Sequence, residues 1–113
     1  MNRKIQLLYL IEQYCNGKYD TQTFSSWMTK VYYMEKDDSL SKKEEEILAP
    51  LAQCADYFSP YSSDHEIYSG FTSEEEVNQL AISTYKELLS HYNVDSFEQM
   101  YPIVNRKIGR AHV

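Results

Sequence analysis

An all-α fold, an antiparallel four-helix bundle with a kinked third helix and a short C-terminal extension, is what this sequence predicts. Three observations lead there. Apolar residues recur at three- and four-residue steps in four separate stretches, and two of those stretches open on a Ser-x-x-Glu capping box. Only three glycines and three prolines interrupt 113 residues, which leaves few places for tight turns. With 42% hydrophobic and 25% charged residues the chain has the balance of one that buries a core, and its length suits a single core. One helical domain over residues 1–104 is expected, followed by a basic tail over 105–113.

The first helix is read over about residues 3 to 16, where Ile5, Leu8, Ile11 and Cys15, with Leu7 and Tyr14, share a face. Asn16-Gly17 stops it, because glycine tolerates the left-handed conformation that follows a helix. Asp20 can cap a second helix whose stripe is Phe24, Trp27, Met28, Val31 and Met34. A turn over Lys36-Asp37-Asp38-Ser39 leads to the capping box Ser41-Lys42-Lys43-Glu44 and a third helix with Ile47, Leu48, Leu51, Ala55 and Phe58 on its apolar side, Cys54 alongside. Pro50 removes an amide donor and predicts a kink there, or a helix whose second half starts at that residue. Ser59-Pro60 closes the helix, and Tyr61 to Thr72, which has no period of either kind, reads as an ordered, partly extended loop. Ser73-Glu74-Glu75-Glu76 then caps a fourth helix along Val77, Leu80, Ala81, Thr84, Leu88 and Tyr92. Asp95 to Glu98 can form a short helix that stops before Pro102, and the tail carries Arg106, Lys107 and Arg110.

Charge is unevenly distributed along the chain. From Glu44 through Tyr85 there are nine acids and no Lys or Arg, a formal −9; the remainder has eight acids and eleven bases, +3, for a net −6. Such segregation repels nucleic acid and draws a basic partner, although any single glutamate here also has a local explanation as a capping or solubilising residue. No stretch approaches the ~20 apolar residues that span a bilayer, and the N-terminus lacks the pattern of a cleaved leader, so a cytosolic protein is expected. Cys15 and Cys54 stand far apart on apolar faces and read as reduced thiols packed in the core.

Catalytic signatures are missing. There is no glycine-rich phosphate loop, no nucleophile elbow, no Cys-x-x-Cys and no His-Glu-x-x-His. Asp64-His65-Glu66 is the nearest approach to a metal set, but adjacent residues in an extended loop point to alternate sides. His91, near a helix C-terminus, is favoured there by the helix dipole when protonated. No cofactor, metal site or catalytic residue is therefore expected. The tyrosines are more informative: of eleven, Tyr57, Tyr61 and Tyr68 fall inside the acidic block, where rigid amphipathic rings beside carboxylates suit recognition of Arg and Lys. For Tyr61 and Tyr68, which flank Asp64 and Glu66, surface recognition and packing of the loop remain equally open readings; Phe58 belongs to the core.

The run Ala55-Asp56-Tyr57-Phe58-Ser59-Pro60-Tyr61, continuing through Asp64, Tyr68, Gly70-Phe71 and the Ser73-Glu74-Glu75-Glu76 cap, resembles the colicin D-type bacterial self-protective immunity proteins, including those of contact-dependent growth inhibition systems. The likeness extends over residues 5 to 92, with its specific features in 55 to 76; the tail beyond Asn93 lies past the family pattern. The resemblance implies a four-helix immunity protein that neutralises a transfer-RNA-cleaving toxin by occupying its basic cleft. Combined with the charge argument, it assigns partner binding to Asp56, Tyr57, Tyr61, Asp64, Glu66, Tyr68, Glu74, Glu75 and Glu76, with a basic nuclease toxin domain as a 1:1 partner and no direct contact with nucleic acid or membrane. The alternative is an acidic adaptor or regulatory subunit that binds a basic groove or helix of another protein.

Overall fold

Asn2 opens the first helix by accepting the Ile5 amide at 2.8 Å, and the computed structural model, which describes residues 2–35, 37–67 and 70–100, places α1 at Arg3–Cys15. The next two free amides of that helix start, on Arg3 and Lys4, are taken by Asp37 Oδ2 and Ser39 Oγ, each at 3.0 Å, so the 37–39 turn serves as a distant cap. Gly17, at φ +80°, makes the left-handed turn after α1. Asp20 caps α2 (Thr21–Thr29) through the Thr23 amide at 2.7 Å. A π-helical turn, Lys30–Met34, continues directly from α2. Next come α3 (Lys42–Asp56), α4 (Ser62–Ile67), α5 (Glu74–Tyr92) and a 3-10 turn at Phe97–Met100. Both capping boxes are present, and α3 stays helical through the exposed Pro50. The fold is all-α: among the described residues the extended pairing is a single parallel bridge, Phe58 to Thr72.

Three expectations change. Residues 61–72 hold the six-residue helix α4 and not only an extended loop; fewer than two turns are too short for an apolar period to register. Trp27 and Met34 leave the α2 stripe and are 46% and 77% exposed. The π turn widens the helical repeat after Thr29, which carries Met34 off the face shared by Phe24, Met28 and Val31, while Trp27 lies at its edge with the Lys30 ammonium 4.8 Å above its ring. Asp64, His65 and Glu66 sit on consecutive helical positions, not in an extended loop. The 105–113 tail lies outside the described residues.

The core gathers Leu7, Leu8 and Ile11 from α1, Phe24 and Met28 from α2, Leu48 and Leu51 from α3, Val77 and Leu88 from α5, and Phe97. Full burial of each such side chain contributes about 1.5–3 kcal/mol, so this cluster is the main source of stability. Tyr14 stacks on Phe24 with centroids 4.2 Å apart. Helix α3 packs against α2 and α5, and α1 against α2 and α5. Cys15 and Cys54 are free thiols, half-buried at the edge of this core, and burial raises Cys15 to about 11.

Polar contacts define how the helix ends meet. At one end Arg3, 3% exposed, donates to Glu45 Oε1 at 3.0 Å and to the Tyr32 carbonyl at 2.7 Å, with its guanidinium 4.8 Å from the Tyr32 ring. Beside it the buried Glu44 pairs with Lys4 Nζ at 2.9 Å, closes its capping box on the Ser41 amide at 2.7 Å, and accepts the Tyr92 hydroxyl. The start of α1, the end of the π turn, the start of α3 and the end of α5 therefore share one end of the molecule. At the other end Thr21 Oγ1 bridges Tyr14 Oη (2.8 Å) and Glu74 Oε2 (2.9 Å), and Thr72 Oγ1 donates to the Cys54 carbonyl at 2.6 Å. There the end of α1 meets the starts of α2 and α5 and the last turn of α3.

Burial alone would push the Glu44 carboxyl up; the Ser41 amide, the Tyr92 hydroxyl and the Lys4 ammonium outweigh it and hold the group at about 2, against an ordinary 4.5. A depressed folded pKa contributes stability above the unfolded value, which is lost as pH falls from about 4.5 towards about 2. Lys4→Met is expected to move the Glu44 titration back towards 4.5 and to reduce this acid-sensitive share of stability, read from the carboxyl carbon shift and urea midpoints across pH 2–6. A Glu44 that titrates near 4.5 in the native protein would contradict the assignment.

Candidate functional site

The final turn of α3 delivers Asp56 and Tyr57, both exposed, and the backbone then joins the start of α5. Ser59 N donates to the Thr72 carbonyl (3.2 Å) and Thr72 N to the Tyr57 carbonyl (2.8 Å). The segment that begins and ends at this clamp carries α4. Its anchor is Ser59, itself buried: Oγ donates to Asp64 Oδ2 in a short bond and accepts the Tyr61 amide at 3.2 Å, and His65 Nε2 donates to the Ser59 carbonyl at 2.9 Å. The His65 ring sets its edge against Phe71, 6.2 Å between centroids. These contacts leave Tyr61 63% exposed and Glu66 exposed, and hold Asp64 half-buried with one oxygen already occupied.

At the start of α5 three carboxylates are oriented by separate partners. Glu74 accepts Thr21 Oγ1, Glu75 accepts Gln79 Nε2 at 3.1 Å, and Glu76 accepts the Ser73 amide at 3.1 Å while Ser73 Oγ accepts the Glu76 amide. All three remain exposed, so each keeps further acceptor capacity towards solvent. Of the nine residues expected to bind a partner, Asp56, Tyr57, Tyr61, Asp64, Glu66, Glu74, Glu75 and Glu76 lie on the end of α3, the segment that carries α4 and the first turn of α5, which the backbone clamp joins. Tyr68 lies outside the described residues.

The acidic block is not one uninterrupted face. Glu44 and Glu45 sit at the opposite end, paired with Lys4 and Arg3. That pairing offsets part of the negative charge there, since Arg3, Lys4, Lys42 and Lys43 stand at that end beside Asp37, Asp38, Glu44, Glu45 and Glu46; among the described bases Lys18, in the turn before α2, falls on the other side.

A polar groove of about 400 Å³ runs between α2 and the end of α3, with Gln22, Ser25, Ser26 and Thr29 on one wall and Asp56, Phe58 and Pro60 on the other. Tyr33 adjoins it: partial burial first, then the Asp56 carboxylate and the Tyr57 phenol, raises its hydroxyl above the ordinary tyrosine value. None of these α2 residues was expected from sequence. The available signal was a second stripe, Gln22, Ser26, Thr29 and Tyr33, at helical spacing beside the apolar one, and its meaning depends on α3 standing opposite. A second cleft, of about 290 Å³ between α1 and α2, is apolar and aromatic, lined by Tyr9, Leu10, Tyr19 and Trp27, and no carboxylate lines it.

Among the described residues no group of three or more His, Cys, Asp or Glu side chains is placed to hold a metal ion. No helix there is long and apolar enough to cross a membrane. Compared with protein-family models, with curated proteins and with solved structures, the chain gives no match.

A helix of six residues has no independent stability, so α4 depends on its Ser59 anchor. Ser59→Ala is expected to speed amide exchange over residues 62–67 by roughly 5- to 30-fold, the equivalent of about 1–2 kcal/mol of lost hydrogen bonding, while the slowest α1 amides change far less. Unchanged exchange in α4 would show that other contacts hold it.

Proposed function

We propose that the chain is an immunity protein that binds a basic nuclease toxin domain 1:1 and neutralises it, acting in the cytosol by binding and without catalysis or a cofactor. The observation that carries this reading is the gathering, at one end, of carboxylates from α3, α4 and α5 with the exposed rings of Tyr57 and Tyr61, while Arg3 and Lys4 are engaged at the other end. A ribonuclease must keep a basic cleft to grip phosphates, and carboxylates held in fixed orientation can replace those phosphates. The hydrogen bonds that orient Glu74, Glu75 and Glu76 lower the ordering cost of binding. Steering by the acidic end would speed encounter, and the tyrosines would slow release. The likeness of residues 55–76 to colicin D-type immunity proteins points to a transfer-RNA-cleaving toxin of a colicin or of a contact-dependent growth inhibition system. In this reading the four longer helices form an antiparallel bundle bent at Pro50 in α3; the polar contacts at the helix ends support that arrangement.

A second reading, an acidic adaptor for another protein's basic groove or helix, draws on the aromatic cleft between α1 and α2, which offers a contact surface that an inhibitor of a nuclease cleft would not need. The gene neighbourhood separates the two, since an immunity protein is expected beside its toxin.

The protein is expected to co-purify with the product of the gene immediately upstream as a 1:1 complex whose Kd rises steeply with salt. Glu66 and Glu75 are exposed and contribute little to the fold, so Glu66→Lys with Glu75→Lys should weaken binding by roughly ten- to a hundredfold and flatten the salt dependence, read by titration calorimetry. Unchanged affinity and salt slope in the double variant would exclude this end as the interface.

A further inference from the structure

Among the described residues two buried side-chain polar atoms have no hydrogen-bond partner, Arg3 Nε and Ser25 Oγ. The Arg3 guanidinium is otherwise engaged by Glu45, the Tyr32 carbonyl and the Tyr32 ring, and belongs to the ion-pair network. Ser25 has no such explanation. It is 4% exposed, lies within α2, and does not bond back to the carbonyl four residues earlier, as Ser83 does to Gln79 at 3.1 Å. Buried hydroxyls in folded proteins are almost always paired, so one left unpaired beside an open groove points to a group that occupies the groove.

The groove it lines is chemically selective. Asp56 supplies the charge, Gln22, Ser26 and Thr29 supply neutral acceptors, and Phe58 supplies an apolar wall. Lys30, which follows Thr29 in sequence, is turned to the Trp27 ring. A guanidinium presents five donors in a planar fork, enough to engage a carboxylate and several neutral oxygens at once, and its stem can lie along an aromatic wall. An ammonium is a compact, strongly hydrated point charge and matches such a set less well.

We propose that the groove between α2 and the end of α3 is the seat of one arginine side chain of a basic protein partner. The inference rests on the reading of the acidic end as a partner surface, and it specifies which partner side chain is gripped and by which residues.

The test is an amide-shift titration of the full chain with N-acetyl-arginine amide, with the citrulline amide as uncharged isostere and the lysine amide as point charge. Saturable shifts confined to Gln22, Ser25, Ser26, Thr29, Asp56 and Phe58 are expected for arginine alone, with an apparent Kd about tenfold weaker in Asp56→Asn. Ser25→Ala, which removes an unpaired hydroxyl and introduces a better helix former, should fold with a Tm no lower than that of the unaltered protein and bind arginine amide several-fold more weakly. Lysine or citrulline amide equal to arginine amide, shifts spread evenly over Glu66 and Glu74–Glu76, an unaltered Kd in Ser25→Ala, or no saturable shift would each overturn the proposal. Occupancy of Ser25 by water alone would appear as that unaltered Kd. Its failure and that of the immunity reading are separable: arginine amide seated in the groove with no binding of the upstream-encoded domain leaves the groove standing, whereas binding of that domain without arginine amide seating removes the groove alone.

Discussion

The buried carboxylate of Glu44, held by its own capping box, by Lys4 and by Tyr92, is the contact on which the arrangement of the molecule depends. It joins the start of α3 to the start of α1 and the end of α5, and with Arg3 on Glu45 and on the Tyr32 carbonyl it brings four chain segments to one end. Buried ion pairs add little net stability over apolar packing, but loss of one partner strands a charge, so a network of this kind favours one arrangement of the helices over others. The apolar core supplies the stability. The ionic end fixes which helix ends meet, and it engages the bases of α1 at the end opposite the starts of α2 and α5.

A second buried carboxylate does comparable work through neutral donors. Glu12, 4% exposed on α1, accepts from the Tyr85 hydroxyl (2.9 Å), Ser96 Oγ (3.0 Å) and the Phe97 amide (2.9 Å) on one oxygen. Three donors on one carboxyl oxygen satisfy it in place of water, and the result is to seat Phe97 in the core, edge-on to Tyr85 at 4.9 Å. Residues that follow α5 are thereby part of the folded unit. Glu12 and Glu44 look like ordinary members of polar helix faces in the sequence, and their partners lie 73 and 48 residues away in Tyr85 and Tyr92. Burial of either was therefore not legible from local pattern.

What was legible follows from short-range chemistry. Asp20, Ser41 and Ser73 cap their helices with side chains three residues from the amides they accept, and Gly17 turns the chain after α1, so the starts of α2, α3 and α5 and the end of α1 could be read almost to the residue. The π turn after Thr29 was not legible, because a slip in backbone hydrogen-bond register leaves no trace in side-chain spacing; the exposure of Met34 is its consequence. Helix α4 was missed because it is held by tertiary bonds to Ser59 and not by an apolar stripe. The candidate site was legible as a set of residue types, since Asp56, Tyr57, Glu66 and Glu74 lie in one acidic block, while the α2 wall of its groove exists only once α3 stands beside it.

These constraints combine into a molecule whose charge is unevenly sorted between its ends. Bases and carboxylates share one end, where Arg3 and Lys4 are paired, and at the other carboxylates with exposed tyrosines are oriented by neutral donors that do not cancel their charge. That sorting is the physical content of the proposed inhibition of a cationic target. It is tested most directly by amide line broadening with a cationic nitroxide against a neutral one at low salt, which maps surface potential without any partner. The account predicts excess broadening by the cationic probe around Asp56, Asp64, Glu66 and Glu74–Glu76, with none around Lys42–Glu46. Excess of equal size at both ends, or centred on the start of α3, would contradict it.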